Sequence, residues 1–100
     1  MSFVCLVEIQ LHFPEIGSLK GKRKELATLK AQLQRRFGAA VSETDHHDLW
    51  QRATVTAALV GGTAGVVEEA AMKLGRYVES QFPETSRLER GLVSAEEVLG

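Results

Sequence analysis

The chain has 100 residues, enough for one domain, and its 44% hydrophobic and 25% charged residues are typical of a globular protein. These proportions exclude a disordered chain, a collagen-like chain and a disulfide scaffold. No apolar run reaches the length of about 18 residues that a membrane span needs, and the N-terminus lacks the basic cluster of a signal peptide. Because Cys5 is the only cysteine, no disulfide can form within the chain, and a reducing cytoplasm is expected.

The net charge of −1 is distributed unevenly along the chain. Between residues 18 and 38, seven basic residues accompany one acid, Glu25, so this segment carries +6 and the rest of the chain −7. The basic residues are Lys20, Lys22, Arg23, Lys24, Lys30, Arg35 and Arg36. A pI near 6.3 argues against bulk affinity for nucleic acid. The segment is therefore either a local site for an anionic partner or a solvated helix face.

The first two predicted elements are a strand and a helix. Apolar and polar residues alternate over residues 3–13, which indicates a strand that buries one face. Ser18 is the expected N-cap of a helix whose apolar residues recur at helical spacing as far as Phe37, and Gly38 would end it. Lys22 lies inside the apolar arc of this helix, so its ammonium group must leave the core or meet an acid.

The second half of the chain is predicted to hold two paired strands, a helix and a last strand. The expected bounds are residues 39–44 and 50–60 for the paired strands, 63–82 for the helix and 85–93 for the last strand. The polar sequence Asp45-His46-His47-Asp48 fits the turn between the paired strands. We expect residues 1–93 to form one domain and residues 94–100 a C-terminal tail, in which Ser94-x-x-Glu97 is typical of a capping box.

The order β-α-β-β-α-β predicts an α+β, ferredoxin-like sandwich with four antiparallel strands in the order 4-1-3-2 and both helices on one face. In this topology the start of the first helix and the turn of the central hairpin lie at the same end of the molecule. Residues 18–20 and 45–48 should therefore be neighbours, and Lys22 could meet Asp45 or Asp48 there.

The same two segments carry a family resemblance. Ser18-Leu19-Lys20-Gly21-Lys22-Arg23 resembles the Ser-Leu-Lys-x-Lys-Arg signature of the YlxP-like family, and residues 45–53 resemble its second signature. The resemblance covers roughly residues 3–90. It implies a small bacterial protein of ferredoxin-like fold with a role near RNA, the ribosome or translation initiation, and it implies no activity. Two residues depart from the family pattern: Gly21, where Glu is frequent and would complete a capping box with Ser18, and His47, where Gln is frequent.

The polar turn contains residue types found in metal sites, so a metal-dependent hydrolase has to be considered. Four adjacent turn residues project in different directions, however, and no His-x-x-x-His spacing is present. We therefore expect no metal, no cofactor, no small-molecule substrate and no catalytic residue. The residues of this signature whose role is left open are Asp45, His46, Asp48, Trp50 and Arg52. Trp50 could stack on a base, but we expect it to pack over the hairpin.

Two functions from different classes remain. The first is a non-enzymatic RNA- or ribosome-associated module, in which the first-turn amides of the helix and its basic side chains bind phosphate. The predicted site residues are Ser18, Lys20, Lys22, Arg23, Lys24, Lys30 and Arg35. The second is a homodimeric interaction domain, because Val4 and Leu6 place apolar surface on the open face of the sheet. Salt-dependent retention of RNA would favour the first function, and a salt-insensitive dimer the second.

Overall fold

The alternation of residues in β1 (Phe3–His12) places this strand at the centre of a four-stranded antiparallel sheet in the computed structural model, which describes residues 1–100. On one side β1 pairs with β3 (Arg52–Gly61), which in turn pairs with the edge strand β2 (Ala40–Asp45). On its other side it pairs with β4 (Ser86–Ser94). The order β2-β3-β1-β4 is the predicted order 4-1-3-2 counted from the opposite edge.

Two long helices cover one face of this sheet. They are α1 (Leu19–Phe37) and α2 (Ala64–Gln81), and both contribute to a single cluster of 17 buried hydrophobic residues. The predicted ferredoxin-like arrangement is therefore confirmed. The helix caps follow the sequence signals: the Ser18 hydroxyl accepts a hydrogen bond from the Gly21 amide at 3.1 Å, and Gly38 ends α1 with φ of 64°, a conformation that favours glycine.

The buried face of β1 forms the centre of the core. Its members are Cys5, Val7, Ile9 and Leu11, each at most 2% exposed. Cys5 has the role of a small apolar side chain, as the alternation predicts. Burial raises the pKa of the Cys5 thiol, against a smaller lowering by Arg90, so the reactive thiolate is disfavoured.

The predicted C-terminal tail folds as a short helix, α3 (Ala95–Leu99). Its capping box is complete, since the Ser94 hydroxyl accepts from the Glu97 amide at 3.1 Å and the Glu97 carboxylate accepts from the Ser94 amide at 3.2 Å. The Ala95 amide donates to the Ser2 carbonyl at 2.8 Å, which joins α3 to the start of the sheet. None of the three helices combines the length and apolar composition that crossing a bilayer requires.

The other face of the sheet, which we call the open face, has no helix on it. The even-numbered residues of β1 point to this face, and they change from apolar to polar along the strand. Val4 and Leu6 lie at one end, whereas Glu8, Gln10 and His12 lie toward the β2–β3 hairpin. The open face therefore has an apolar half and a polar half.

A substitution at Leu33 tests which face of α1 is buried, because this side chain is fully buried against the sheet. Leu33→Ala should lower the free energy of unfolding by about 2–5 kcal/mol, since it leaves a cavity in the core. Urea denaturation monitored by circular dichroism measures this loss. Gln34→Ala, one residue further on the exposed face, is the matched control and should change stability by less than about 0.5 kcal/mol. Equal losses in the two variants would contradict the assigned phase.

Candidate functional site

Lys22 joins the start of α1 to the β2–β3 hairpin. Its side chain is 1% exposed, and its ammonium group donates hydrogen bonds to the carbonyl oxygens of His46 and Leu49, both at 2.6 Å. The carbonyl of His47 lies 3.5 Å away. The predicted proximity of the first helical turn and residues 45–48 is thus confirmed, and the contact is made by backbone oxygens of the hairpin.

Glu43 supplies the counter-charge for this buried ammonium group. Its Oε2 atom lies 2.9 Å from Lys22 Nζ. The angle at this contact is not that of a hydrogen bond, so the attraction is that of an ion pair. The expectation that Asp45 or Asp48 would pair with Lys22 is wrong. Glu43 is paired with Val55, whose side chain is in the core, so it points to the helix side of the sheet. Asp45 is paired with Thr54 and lies on the open face.

His46 shapes the turn of the hairpin. It has φ of 62°, in the left-handed region that costs a non-glycine residue about 1 kcal/mol or more. The Asp45 carboxylate accepts from the His46 amide at 2.7 Å. His46 Nδ1 lies 2.8 Å from the Thr54 hydroxyl, which donates to the Gln10 side-chain oxygen at 2.8 Å. Because that hydroxyl has a single proton, His46 Nδ1 must be the donor to it.

Three of the four turn residues, Asp45, His46 and His47, make structural contacts, whereas Asp48 is exposed. His47 Nε2 lies 3.2 Å from the Glu43 carbonyl oxygen, and His46 is held by Thr54 as described. No group of three or more His, Cys, Asp or Glu side chains is arranged to hold a metal ion.

The side chains of the two signature segments lie on different layers of the molecule. Arg52 and His46 line a shallow cavity of about 470 Å³ on the polar half of the open face, together with Glu8, Arg87 and Glu89. The first signature instead places its side chains on α1, on the opposite layer. The structure thus brings Lys22 to the hairpin, but it does not bring Arg52 to the basic residues of the helix.

The basic side chains of α1 other than Lys22 point away from the core. We call five of them the basic surface of α1: Lys20, Arg23, Lys24, Lys30 and Arg35. All are exposed except Lys30, which is partly exposed. None makes an ion pair, because the two salt bridges of the chain are Lys22–Glu43 and Lys73–Glu69. The first turn of α1 has no acidic residue, so the positive end of the helix dipole adds to their field.

Lys22 and Arg36 do not belong to this surface. The ammonium group of Lys22 is bound within the protein, so the prediction that it joins the anion site is corrected. Arg36 turns toward α2, with its guanidinium carbon 4.5 Å from the ring centre of Tyr77. Arg35 and Arg36 both donate to the Gln32 side chain, at 2.9 and 3.1 Å, and neither contacts a carboxylate.

Trp50 is half-exposed at the end of the hairpin that Lys22 contacts. Its exposed fraction is 50%, so half of the side chain that was expected to pack over the hairpin is in contact with water. Its position is fixed on both sides along the chain. The preceding carbonyl, of Leu49, accepts from Lys22, and the following side chain, of Gln51, donates to the carbonyls of Pro14 and Ile16 at 3.4 and 3.3 Å.

Sequence reasoning did not assign to Glu43 and Gln51 the contacts by which these two residues complete this attachment. A signal for Glu43 was present, because it has the same parity in β2 as the core residue Val41. Nothing in the local sequence marks Gln51, since its partners are backbone carbonyls 35 and 37 residues away.

Lys22→Met keeps most of the apolar stem and removes the ammonium group, which leaves Glu43 and the hairpin carbonyls without their partner. The free energy of unfolding should fall by about 3 kcal/mol, because breaking a buried ion pair from one side strands the other charge. Urea denaturation measures the loss. Lys30→Met on the same helix is the control and should cost less than about 0.5 kcal/mol. A Lys22 variant as stable as the Lys30 variant would show that the hairpin does not depend on this contact.

Comparisons of the fold agree with the topology. The de novo designed protein Foldit4 superposes with a TM-score of 0.64 at 10% sequence identity, over 94% of this chain and 98% of that chain. A mutant of SnoaB, a cofactor-independent oxygenase from Streptomyces nogalater, superposes with a TM-score of 0.51 at 18% identity, over 93% of this chain and 92% of that chain. At these identities the likeness is one of fold alone.

No curated protein matches the chain. Residues 4–90 match the sequence family described as "Protein of unknown function (DUF503)". This range includes both signature segments, all of α1 and α2, and most of the sheet. The chain therefore belongs to the DUF503 family.

Proposed function

We propose that this protein is a non-enzymatic RNA-binding module of the bacterial cytoplasm that associates with the ribosome through the basic surface of α1. The observation that carries the proposal is that all five cations of this surface lack a carboxylate partner. A helix face that only balances the acids of the chain would be expected to make some ion pairs with them. The resemblance of both signatures to the YlxP-like proteins supports RNA as the anionic partner.

The dimensions of the basic surface suit a short stretch of a nucleic-acid strand. Lys20 and Arg35 are 15 positions apart, which corresponds to about 22 Å along the helix axis. This length spans roughly six nucleotides at about 3.4 Å per nucleotide. The unpaired amides at the start of α1 add hydrogen-bond donors that point at a phosphate beyond the helix end.

Trp50 adds an apolar contact at one end of this surface. Lys22 and Gln51 hold the backbone on both sides of Trp50, at the end of the hairpin that contacts the first turn of α1, and the side chain is 50% exposed. Stacking of one base on an aromatic side chain contributes about 1–3 kcal/mol and tolerates any base. Binding should therefore be modest in affinity and weak in sequence preference.

The alternative function is self-association without a role in nucleic-acid binding. It is favoured by the uncovered apolar half of the open face, where Leu6 is 49% and Val60 is 72% exposed. In this alternative the basic surface of α1 serves only to keep the protein soluble. The two functions use opposite layers of the molecule, so charge reversal on α1 separates them.

Reversal of three charges in the triple variant Lys20→Glu, Arg23→Glu and Lys24→Glu should remove most of the RNA affinity. Fluorescence anisotropy with a labelled 12-nucleotide single-stranded RNA of mixed sequence measures it. For the parent, five phosphate contacts predict a slope of log K against log salt of about −3.5. The variant should remain folded, because acidic residues in the first turns of a helix interact favourably with its dipole.

The matched control reverses three exposed basic residues outside α1, Lys73, Arg76 and Arg90, and changes the net charge by the same amount. We expect this control to retain most of the parent affinity. Equal losses of RNA affinity in both triple variants would show that the loss depends on net charge alone and not on the basic surface of α1. A folded α1 variant that binds RNA like the parent would contradict the proposal and leave a solvated helix face.

Trp50 is the only tryptophan of the chain, so its fluorescence reports directly on the hairpin. Unlabelled single-stranded RNA should quench it if a base stacks on the indole. Trp50→Ala should weaken RNA binding by about 5- to 150-fold, which corresponds to 1–3 kcal/mol, and Trp50→Phe should recover part of it. RNA binding without quenching, and with unchanged affinity in Trp50→Ala, would restrict the interface to α1.

A further inference from the structure

The apolar half of the open face is a continuous patch across three strands. Val4 pairs with Val60 of β3 and Val93 of β4, and Leu6 pairs with Ala58 of β3. Paired residues of an antiparallel sheet point to the same side, so these side chains form two adjacent apolar rows. Leu6 is 49% and Val60 is 72% exposed, and no element of the chain covers them.

The whole chain exposes more surface than a compact monomer of its size. Its accessible surface is 6269 Å², whereas a monomeric protein of 11.0 kDa exposes roughly 5,600 Å². The radius of gyration is 14.1 Å, against about 13 Å for 100 residues. The chain is therefore more extended than a compact monomer, and the apolar half of the open face is part of its exposed surface.

We propose that a second copy of this chain covers the open face, with the two sheets packed face to face about a two-fold axis that runs parallel to the strands between β1 and β3. The inference does not depend on RNA binding. Such a rotation reverses the order of the strands across the sheet. Residues that are paired across the strands form a row, and each row keeps its position along the strand direction. β1 of one copy then lies over β3 of the other, and β4 lies over β2. This is the aligned packing that sheets adopt in sandwiches.

In this arrangement the apolar rows meet each other. Val4 and Leu6 of one copy lie over Val60 and Ala58 of its mate, and the same contacts repeat on the other side of the axis. Both rows are therefore removed from water at once. Burial of this patch supplies the main favourable free energy of association.

The polar half is self-complementary under the same rotation. Arg87 of β4 is paired with Gln10, which is paired with Thr54, which in turn is paired with Asp45 of β2, so all four lie in one row. Because β4 of one copy lies over β2 of the other, each Arg87 faces the Asp45 of its mate. Neither residue makes an ion pair within its own chain.

The neighbouring row is also compatible with a second copy. Glu8 and Glu89 are paired across β1 and β4, an arrangement of like charges that is unfavourable by itself. Under the rotation they lie over Thr56 and Ser42 of the mate, which are hydroxyl residues of the same row. No carboxylate is forced against another carboxylate of the second copy.

A nucleic acid does not fit this face. Its charged side chains are of both signs: Glu8, Asp45, Arg52, Arg87 and Glu89. It has no exposed aromatic side chain on which a base could stack. The balanced charge and the two apolar rows fit a surface that carries the same features, as a second copy does.

Analytical ultracentrifugation of the full chain at 1–100 µM (about the range of weak homodimers) tests the proposal. We expect the parent to sediment with twice the 11.0 kDa mass of the chain and to do so in low and high salt. Leu6→Lys should give a monomer, because it places a charge in the centre of the apolar rows. Arg90→Asp, on the helix side of β4, is the control and should remain dimeric.

A charge exchange tests the proposed axis. Arg87→Asp and Asp45→Arg should each raise the dimer dissociation constant about tenfold or more, because each creates two facing pairs of like charge. The double variant restores both pairs with reversed polarity and should recover the dimer. A monomeric parent at the highest concentration overturns the proposal, and so does a dimer that Leu6→Lys leaves intact. Single variants that weaken the dimer without recovery in the folded double variant overturn the assigned packing.

Discussion

The buried ammonium group of Lys22 is the interaction on which the arrangement of this end of the molecule depends. Taking a charge out of water costs several kcal/mol unless its new surroundings replace the lost hydration. Here the carbonyl oxygens of His46 and Leu49 and the carboxylate of Glu43 do so. These three partners come from one hairpin, so their contacts with Lys22 fix that hairpin against the first turn of α1. The tryptophan next to Leu49 is placed by the same contact.

The two layers of the protein present different chemistry to their surroundings. The outer side of α1 carries cations without acidic partners, whereas α2 and α3 carry five of the twelve exposed acids, among them Glu68, Glu69 and Glu96. The positive field of the molecule is therefore strongest along one helix. The open face of the sheet is turned away from this field. A dimer built on that face would display two basic surfaces on opposite outer sides.

Most of the fold could be predicted correctly from local sequence signals. The strict alternation of β1 indicated its buried face, and single residues marked both ends of α1, as Ser18 and Gly38 show with hydrogen bonds to the Gly21 amide and the Gln34 carbonyl. These signals act within four residues of one another, so they are readable without tertiary information. The same holds for the position of Lys22 inside the apolar arc of α1.

The site was less predictable, because its contacts join distant segments. The apolar arc showed that Lys22 must find a partner, but the choice among Glu43, Asp45 and Asp48 depends on the phase of β2. That phase is set by pairing with β3, with an irregularity between Glu43 and Asp45. The exposure of Trp50 likewise depends on how the hairpin is attached to α1 through Lys22 and Gln51, and no pattern of nearby residues encodes it.

The use of backbone oxygens by Lys22 has a consequence for how this sequence can diverge. A carbonyl group is present whatever side chain its residue carries, so His46 and Leu49 can be replaced without loss of the acceptor, provided that the turn keeps its shape. Methods that infer contacts from correlated substitutions would detect the Lys22–Glu43 pair and overlook the two shorter hydrogen bonds, although these hold the hairpin in place.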